Sequence, residues 1–97
     1  MDFQWDEKKH QTNIKKHGFD FIDAWEIFES PMLIELDSRQ NYEEERYIEI
    51  GFLRQYIVVV VFIELNDSVI RIISLRKALK HEQIKFTKYI RNQLGEN

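Results

Sequence analysis

The 97-residue chain has no cysteine, a single proline and only three glycines. Without cysteine there is no disulfide and no thiolate zinc site, and a reducing compartment, the cytoplasm, is expected. So few glycines leave no glycine-rich loop of the kind that cradles phosphates. The longest apolar run, Tyr56 to Ile63, falls far short of the roughly 20 residues that a membrane-spanning helix needs, so no membrane association is expected. Met1-Asp2-Phe3-Gln4-Trp5-Asp6 has neither the basic start nor the apolar stretch of a secretory leader. The three histidines are scattered, and His10 and His17 stand nearly two helical turns apart, too far to chelate one metal by themselves. No metal or other cofactor is expected. There is no internal repeat, linker or low-complexity segment, so residues 1–97 read as one domain.

What is present is a foldable apolar fraction of 43% with 13% aromatic residues, ample for one modest core. The formal net charge is −3, but it is unevenly spread. From Arg71 to Arg91 seven basic residues face one acid, Glu82. Such a stripe suits either phosphate binding or a solvated helix face. An acidic partner segment is the natural cover for it.

The apolar pattern gives an order β-α-α-β-β-β-β-α. Phe3 to Trp5 reads as a short strand, and Asp6 as the N-cap of a helix that stops at Lys15-Lys16-His17-Gly18. Asp20 caps a second helix to about Glu29, with Phe21, Ala24, Trp25 and Phe28 on one face, and Ser30-Pro31 ends it. Met32 to Leu36 is a strand and Asp37 to Glu43 a polar loop. Arg46 to Phe52 alternates, turning Ile48, Ile50 and Phe52 one way and Tyr47 and Glu49 the other. Tyr56 to Ile63 is apolar on both faces and reads as a central strand. A turn at Asn66-Asp67 returns the chain along Val69 to Leu75. A last helix runs from about Lys77 to Leu94, with Leu79, Phe86, Ile90 and Leu94 inward. The class is α+β: two N-terminal helices, a mainly antiparallel sheet of four to five strands, and a C-terminal helix. His10 and His81 read as surface residues, and Trp5 and Trp25 as core.

Several segments also carry recognisable motifs. Phe3-x-Trp5-Asp6-x-x-Lys9-x-x-x-Asn13-x-x-Lys16-His17-Gly18 opens the chain, continued by Phe21, Ala24 and Phe28. Glu45-Arg46-Tyr47 with Gly51 forms a middle group, and Arg71-Ile72-Ile73-Ser74-x-Arg76-Lys77-Ala78 with Glu82 a third. In this order they resemble the BrnT family of bacterial toxins across nearly the whole chain. The resemblance implies a RelE-like fold and metal-independent endoribonuclease activity that arrests translation and growth. It implies RNA as substrate and a ribbon-helix-helix, BrnA-like antitoxin as partner, with operator DNA reached only through that antitoxin. The chain departs from the family pattern at Ile63 and Leu65, where a threonine and an arginine are usual, and at Phe86, where a tyrosine is common. Tyr89 lies three residues further along the helix and is the nearest phenol to replace it.

Metal-free RNA cleavage requires a base for the 2′-hydroxyl proton, cations for the charged phosphorane and a proton for the leaving 5′-oxygen. With the resemblance, this makes Arg76, Arg71, Arg46 and His17 the catalytic candidates, and Lys77, Lys80, Lys16 and Tyr89 the RNA contacts. Arg76 is expected at the surface, at the strand–helix junction. Ser74 shares its strand parity, whereas Arg71 faces the other way if the strand is regular. Each candidate also has a purely structural reading. Arg71 can pair with Glu45 or Glu49, Arg46 can belong to a solvated acidic loop, and Lys16 and His17 can simply answer the helix dipole. The competing function is an inert RNA- or antitoxin-binding module of the same fold.

Overall fold

The computed structural model describes residues 1–38 and 44–95, so most of the loop expected at Asp37 to Glu43 lies outside the described residues. The elements are β1 (Asp2–Trp5), α1 (Glu7–His17), a 3₁₀ helix (Phe21–Glu29), β2 (Leu33–Leu36), β3 (Tyr47–Leu53), β4 (Tyr56–Asn66), β5 (Val69–Lys77) and α2 (Lys80–Gln93). The strands form one sheet in the order β1-β5-β4-β3-β2. Three pairings are antiparallel, but β1 joins β5 in parallel, with Trp5 opposite Ile72. The sheet is therefore mixed, which corrects the expectation of a mainly antiparallel one. A first strand laid beside the last has no local sequence signal, because its pairing depends on everything in between.

The helix starts follow from capping. Asp6 accepts from the backbone N–H groups of Lys8 and Lys9, and Gly18, at φ +76°, closes α1 by donating to the Ile14 carbonyl. Asp20 caps the next segment through Ile22 N–H, yet that segment winds as 3₁₀ rather than α. At three residues per turn, Phe21, Ala24 and Ile27 line up and are buried. Trp25, expected inward at α-helical spacing, is 52% exposed.

The 3₁₀ helix covers one face of the sheet, where Val58, Val60, Phe62, Ile70, Ile72 and Leu75 meet Phe21, Ala24 and Ile27. Gly51 lies beneath it. A Cβ there would come within 2.9 Å of the Ile27 side chain, so the close approach needs glycine. The other face is covered by α2, through Phe86 against Ile50, Val59 and Ala78 and edge-on to Phe52 at 5.0 Å. Phe86 is core, as its spacing implied. Leu79 and Leu94 are not: they are the extended N-cap and the C-cap of α2 and are 56% and 71% exposed. No helix among the described residues is long and apolar enough to cross a membrane.

Because both faces are covered, alternation along β3 does not separate core from solvent. Glu49, on the face opposite Ile48 and Ile50 as its alternation implies, is fully buried, and neither carboxylate oxygen has a hydrogen-bond partner among the described residues. Burial first, and the Glu64 charge second, push its carboxyl up to about 8. The folded chain thus holds this proton more tightly than the unfolded chain does. Its contribution to stability is complete below pH 4.5 and is lost as pH rises through about 8. Glu49→Gln is expected to match the parent in melting temperature at acid pH and to exceed it increasingly up to pH 8. Thermal melts of the two proteins across that span check this, and a constant difference would contradict it.

Candidate functional site

The candidate side chains depend on an irregularity in β5. Val61 pairs with Ser74 but Phe62 pairs with Ile72, so Ile73 is an extra residue, a β-bulge. The bulge resets the strand's parity. Arg71, Ser74 and Arg76 stand opposite Ile63, Val61 and Val59, and alternate residues of β4 share a face. All three therefore lie on the α2 face of the sheet, whereas a regular strand would turn Arg71 away. Lys77, opposite Val58, points to the other face.

The end of α1 reaches the same place by a different contact. Asn13 is buried and exchanges two hydrogen bonds with the backbone of Leu75, donating to its carbonyl at 2.8 Å and accepting from its N–H at 3.1 Å. This clamps α1 along the edge of β5 beyond the last residue of β1. A groove of about 330 Å³ remains between them, lined by Lys8, Lys9, Thr12, Asn13, Lys16, His17, Ile73 and Ser74. His17 is half-buried there. Desolvation, then the charges of Lys16 and Arg76, hold its imidazole below its ordinary value. Both effects favour the neutral imidazole, the form that accepts a proton.

Arg76 is not the free surface side chain expected, nor does it sit between strand and helix. It lies within β5, one-quarter exposed, in a two-pronged pair with Glu82, Nη1 to Oε1 at 2.8 Å and Nη2 to Oε2 at 2.9 Å. Nη1 also donates to the Lys77 carbonyl. Glu82 in turn accepts from Leu79 N–H at 2.7 Å and so is fixed at the start of α2. The guanidinium hydrogen bond first, and the Leu79 N–H, keep the Glu82 carboxyl below its ordinary range. The end of the guanidinium is engaged, but a fork has five donors. The Nε–H and the outer hydrogen of Nη2, along its side, have no partner among the described residues and remain for a second anion.

The other candidates do not join this cluster. Arg71 stands about 13 Å along the sheet from Arg76 and donates to Gln4 of β1 at 3.2 Å, rather than to Glu45 or Glu49. Arg46 precedes β3, two strands from β5, with its carbonyl accepting from Asp37 N–H at 2.7 Å. Lys80 is exposed on the outer side of α2, in a groove with Ile84, Lys88 and Arg91. Lys85 of the supposed basic stripe is ion-paired with Glu35 of β2. The stripe is thus divided among two sheet faces and one helix face. Tyr89 is half-buried, two turns from Glu82 along the same side of α2. His10, expected at the surface, is largely covered, bonded to Asp20 at 2.6 Å and stacked on Phe21. Asp20 raises its imidazole above the ordinary value. Among the described residues no three His, Asp or Glu side chains are grouped to hold a metal. Lys16 is one of the RNA contacts expected from sequence, but Lys8 and Thr12 are not, although the four-residue spacing of Lys8, Thr12 and Lys16 puts them on one helix face.

Comparison with known proteins bears on what this site does. The family profile described as ribonuclease toxin, BrnT, of type II toxin-antitoxin system matches residues 5–82. The crystal structure of the Brucella abortus ribonuclease toxin, BrnT, superposes with a TM-score of 0.64 at 34% identity, covering 82% of this chain and 99% of that one. No curated protein matches the chain.

The Arg76–Glu82 pair makes a prediction that differs from that for an exposed arginine. Arg76→Ala and Glu82→Gln should each lower stability by about 1–3 kcal/mol, since each strands a partly covered charged partner. Together they should cost clearly less than the sum. The Glu82 contribution is present above its unfolded value of 4.5 and lost as pH falls through its lower folded value. A denaturant-melt cycle of the four proteins checks this; simple additivity would contradict the coupling.

Proposed function

The chain belongs to the BrnT family of ribonuclease toxins of type II toxin-antitoxin systems, and from that premise we propose that it is itself an endoribonuclease acting in the cytoplasm. The observation that carries the reading is a basic groove in which half-buried His17, its imidazole held below its ordinary value, lies beside Lys16, with Arg76 near enough for its charge to act on that imidazole and its side fork unfilled. In the proposed reaction His17 takes the 2′-hydroxyl proton of RNA. The 2′-oxygen then bonds to the adjacent phosphorus as the bond from phosphorus to the 5′-oxygen breaks. The departing oxygen takes a proton from water, and the hydroxide so formed takes the proton that His17 holds, which restores the base and leaves a 2′,3′-cyclic phosphate and a 5′-hydroxyl, with no metal taking part. Arg76 grips the phosphate through Nε and Nη2 and offsets the extra charge of the phosphorane, with Glu82 fixing its orientation. Lys16 adds a second cation. Arg71 and Arg46, set apart along the sheet, and Lys77 fit contacts to more distant parts of the RNA, whereas Lys80 and Tyr89, on α2, lie outside the groove.

Neutralisation is assigned to an antitoxin of the ribbon-helix-helix type, which would carry any contact with operator DNA. Its acidic segment fits the outer side of α2, where Lys80, Lys88 and Arg91 surround Ile84, 61% exposed. Its association is expected to slow as salt rises, because steering between opposite charges is screened. Stopped-flow rates insensitive to ionic strength would remove the electrostatic part of this assignment.

A second reading, an inert binding module, is favoured by one observation: Phe86 is sealed in the core and brings no hydroxyl. RNA cleavage by the purified chain separates the two. His17→Ala and Arg76→Lys are expected to lose about 10²–10³ in rate, with products ending in cyclic phosphate. RNA left intact by the folded parent would establish the inert module instead.

A further inference from the structure

The groove between α1 and β5 extends well past the residues that the cleavage step uses. From Lys16 back to Lys8 it follows α1 for about 12 Å, with Lys8, Lys9 and Thr12 along one wall and the bulged segment Ile73–Ser74 along the other. Among the described residues no acidic side chain lines it. In a chain of net charge −3 that exclusion is notable, because three cations elsewhere are each matched by acids, Arg54 by Asp23 and Glu26, Lys85 by Glu35 and Arg76 by Glu82, and apart from this groove it is the outer side of α2 that gathers cations without them. Lys8, Lys9 and Lys16 form no ion pair among the described residues. All three are exposed, and the acids of α1's first turns are engaged elsewhere, Asp6 capping the helix and Glu7 bonding His10 and Gln11.

We propose that this groove is the track for the RNA strand, in which Lys8, Lys9 and Thr12 hold the phosphates flanking the scissile one while Lys16 and His17 hold the scissile one itself. The proposal rests on the ribonuclease reading and adds a direction to it: the substrate lies along α1, not along the basic helix α2. A flexible single strand fits better than a protein. Apart from Ile73 the lining is polar or charged, without the aromatic or aliphatic anchors that make protein interfaces adhere. A duplex, by contrast, would have to present both strands to a trough one helix wide. Backbone phosphates are the one repeating feature that a row of ammonium groups recognises regardless of base.

The test is fluorescence anisotropy of the full chain with a short, labelled 2′-O-methyl oligoribonucleotide, which binds as RNA but lacks the hydroxyl needed for cleavage. Three proteins are titrated over a range of salt: the parent, Lys8→Ala/Lys9→Ala, and Lys88→Ala/Arg91→Ala on α2. The first variant should bind about tenfold more weakly. Its plot of log affinity against log salt should flatten by about 1.4, the loss of two phosphate contacts on a single strand. The α2 variant should match the parent in both. In cleavage of a longer RNA, the α1 variant should raise KM and leave kcat unchanged. A parent that binds while the α1 variant binds equally well overturns the track and leaves the ribonuclease reading standing. Loss of binding only in the α2 variant moves the strand to that helix. Loss of antitoxin affinity in the α1 variant, with RNA affinity intact, makes the groove a protein surface. A parent with no affinity for the probe removes the track and the RNA reading together.

Discussion

The pair of hydrogen bonds between the Asn13 amide and the Leu75 backbone holds the two halves of the molecule in register. The last residue of β1, Trp5, is paired with Ile72, so from there on the outer edge of β5 has no neighbouring strand. A carboxamide carries a donor and an acceptor side by side, as a peptide group does. Asn13 thus stands in for the next strand residue and satisfies a buried N–H and C=O that would otherwise be costly. The same amide nitrogen donates to the Phe19 carbonyl at 3.0 Å, which fixes the turn between α1 and the 3₁₀ helix. One side chain therefore positions the helix that carries Lys16 and His17, the groove beside it, and the segment that closes the opposite face of the core. Aspartate could accept here but could not donate, and leucine could do neither.

The parts of the fold that rest on local chemistry were legible in the sequence. The Asp6 cap, the Gly18 stop, the apolar β4 and the core position of Phe86 each follow from residues within a few positions of one another. The parts that rest on distant partners were not. Nothing in Phe3 to Trp5 specifies a parallel seat beside β5. Nothing in Phe21 to Glu29 selects three residues per turn over 3.6 until the sheet beneath decides which side chains fit. Glu49 is the sharpest case. Its alternation is correct, since it does share a face with Tyr47, but that face is covered by the 3₁₀ helix rather than by water. Alternation reports which residues go together, and only the tertiary structure reports which side is wet.

The site divides along the same line. The motif residues Lys16, His17 and Ser74 line one groove, with Arg76 near enough to act on the His17 charge, but the sequence gives no sign of the bulge that turns Arg71 to the face of Ser74 and Arg76. It gives no sign that Glu82 is the partner of Arg76 either, although both sit in one motif. An arginine tied at one edge is more useful to phosphate chemistry than a free one. Its rotamers are already restricted, so less entropy is lost when the second edge binds. The pair therefore serves orientation as much as stability, and the burial of Phe86 does not bear on it.

Charge separation explains how an acidic protein can offer a surface to RNA. A uniform distribution of the same residues would repel a polyanion at every approach. Here the acids are drawn into capping and pairing: Asp6 and Asp20 at helix starts, Asp23 and Glu26 on Arg54, Glu35 on Lys85, Glu82 on Arg76. Paired acids cancel cations locally and cast little field beyond a Debye length of about 8–10 Å. What reaches further is the excess of unmatched lysines along α1 and α2. Those two faces differ in what accompanies the charge, polar Thr12, Asn13 and Ser74 in one and exposed Ile84 in the other. Polar, concave and basic suits a hydrated phosphate chain. Basic with an apolar centre suits a folded or folding polypeptide that buries a side chain as it neutralises the charge. On the proposed reading, an inhibitor held on α2 would not have to fill the groove to block cleavage, because Glu82, which holds Arg76 in place, lies at the start of α2.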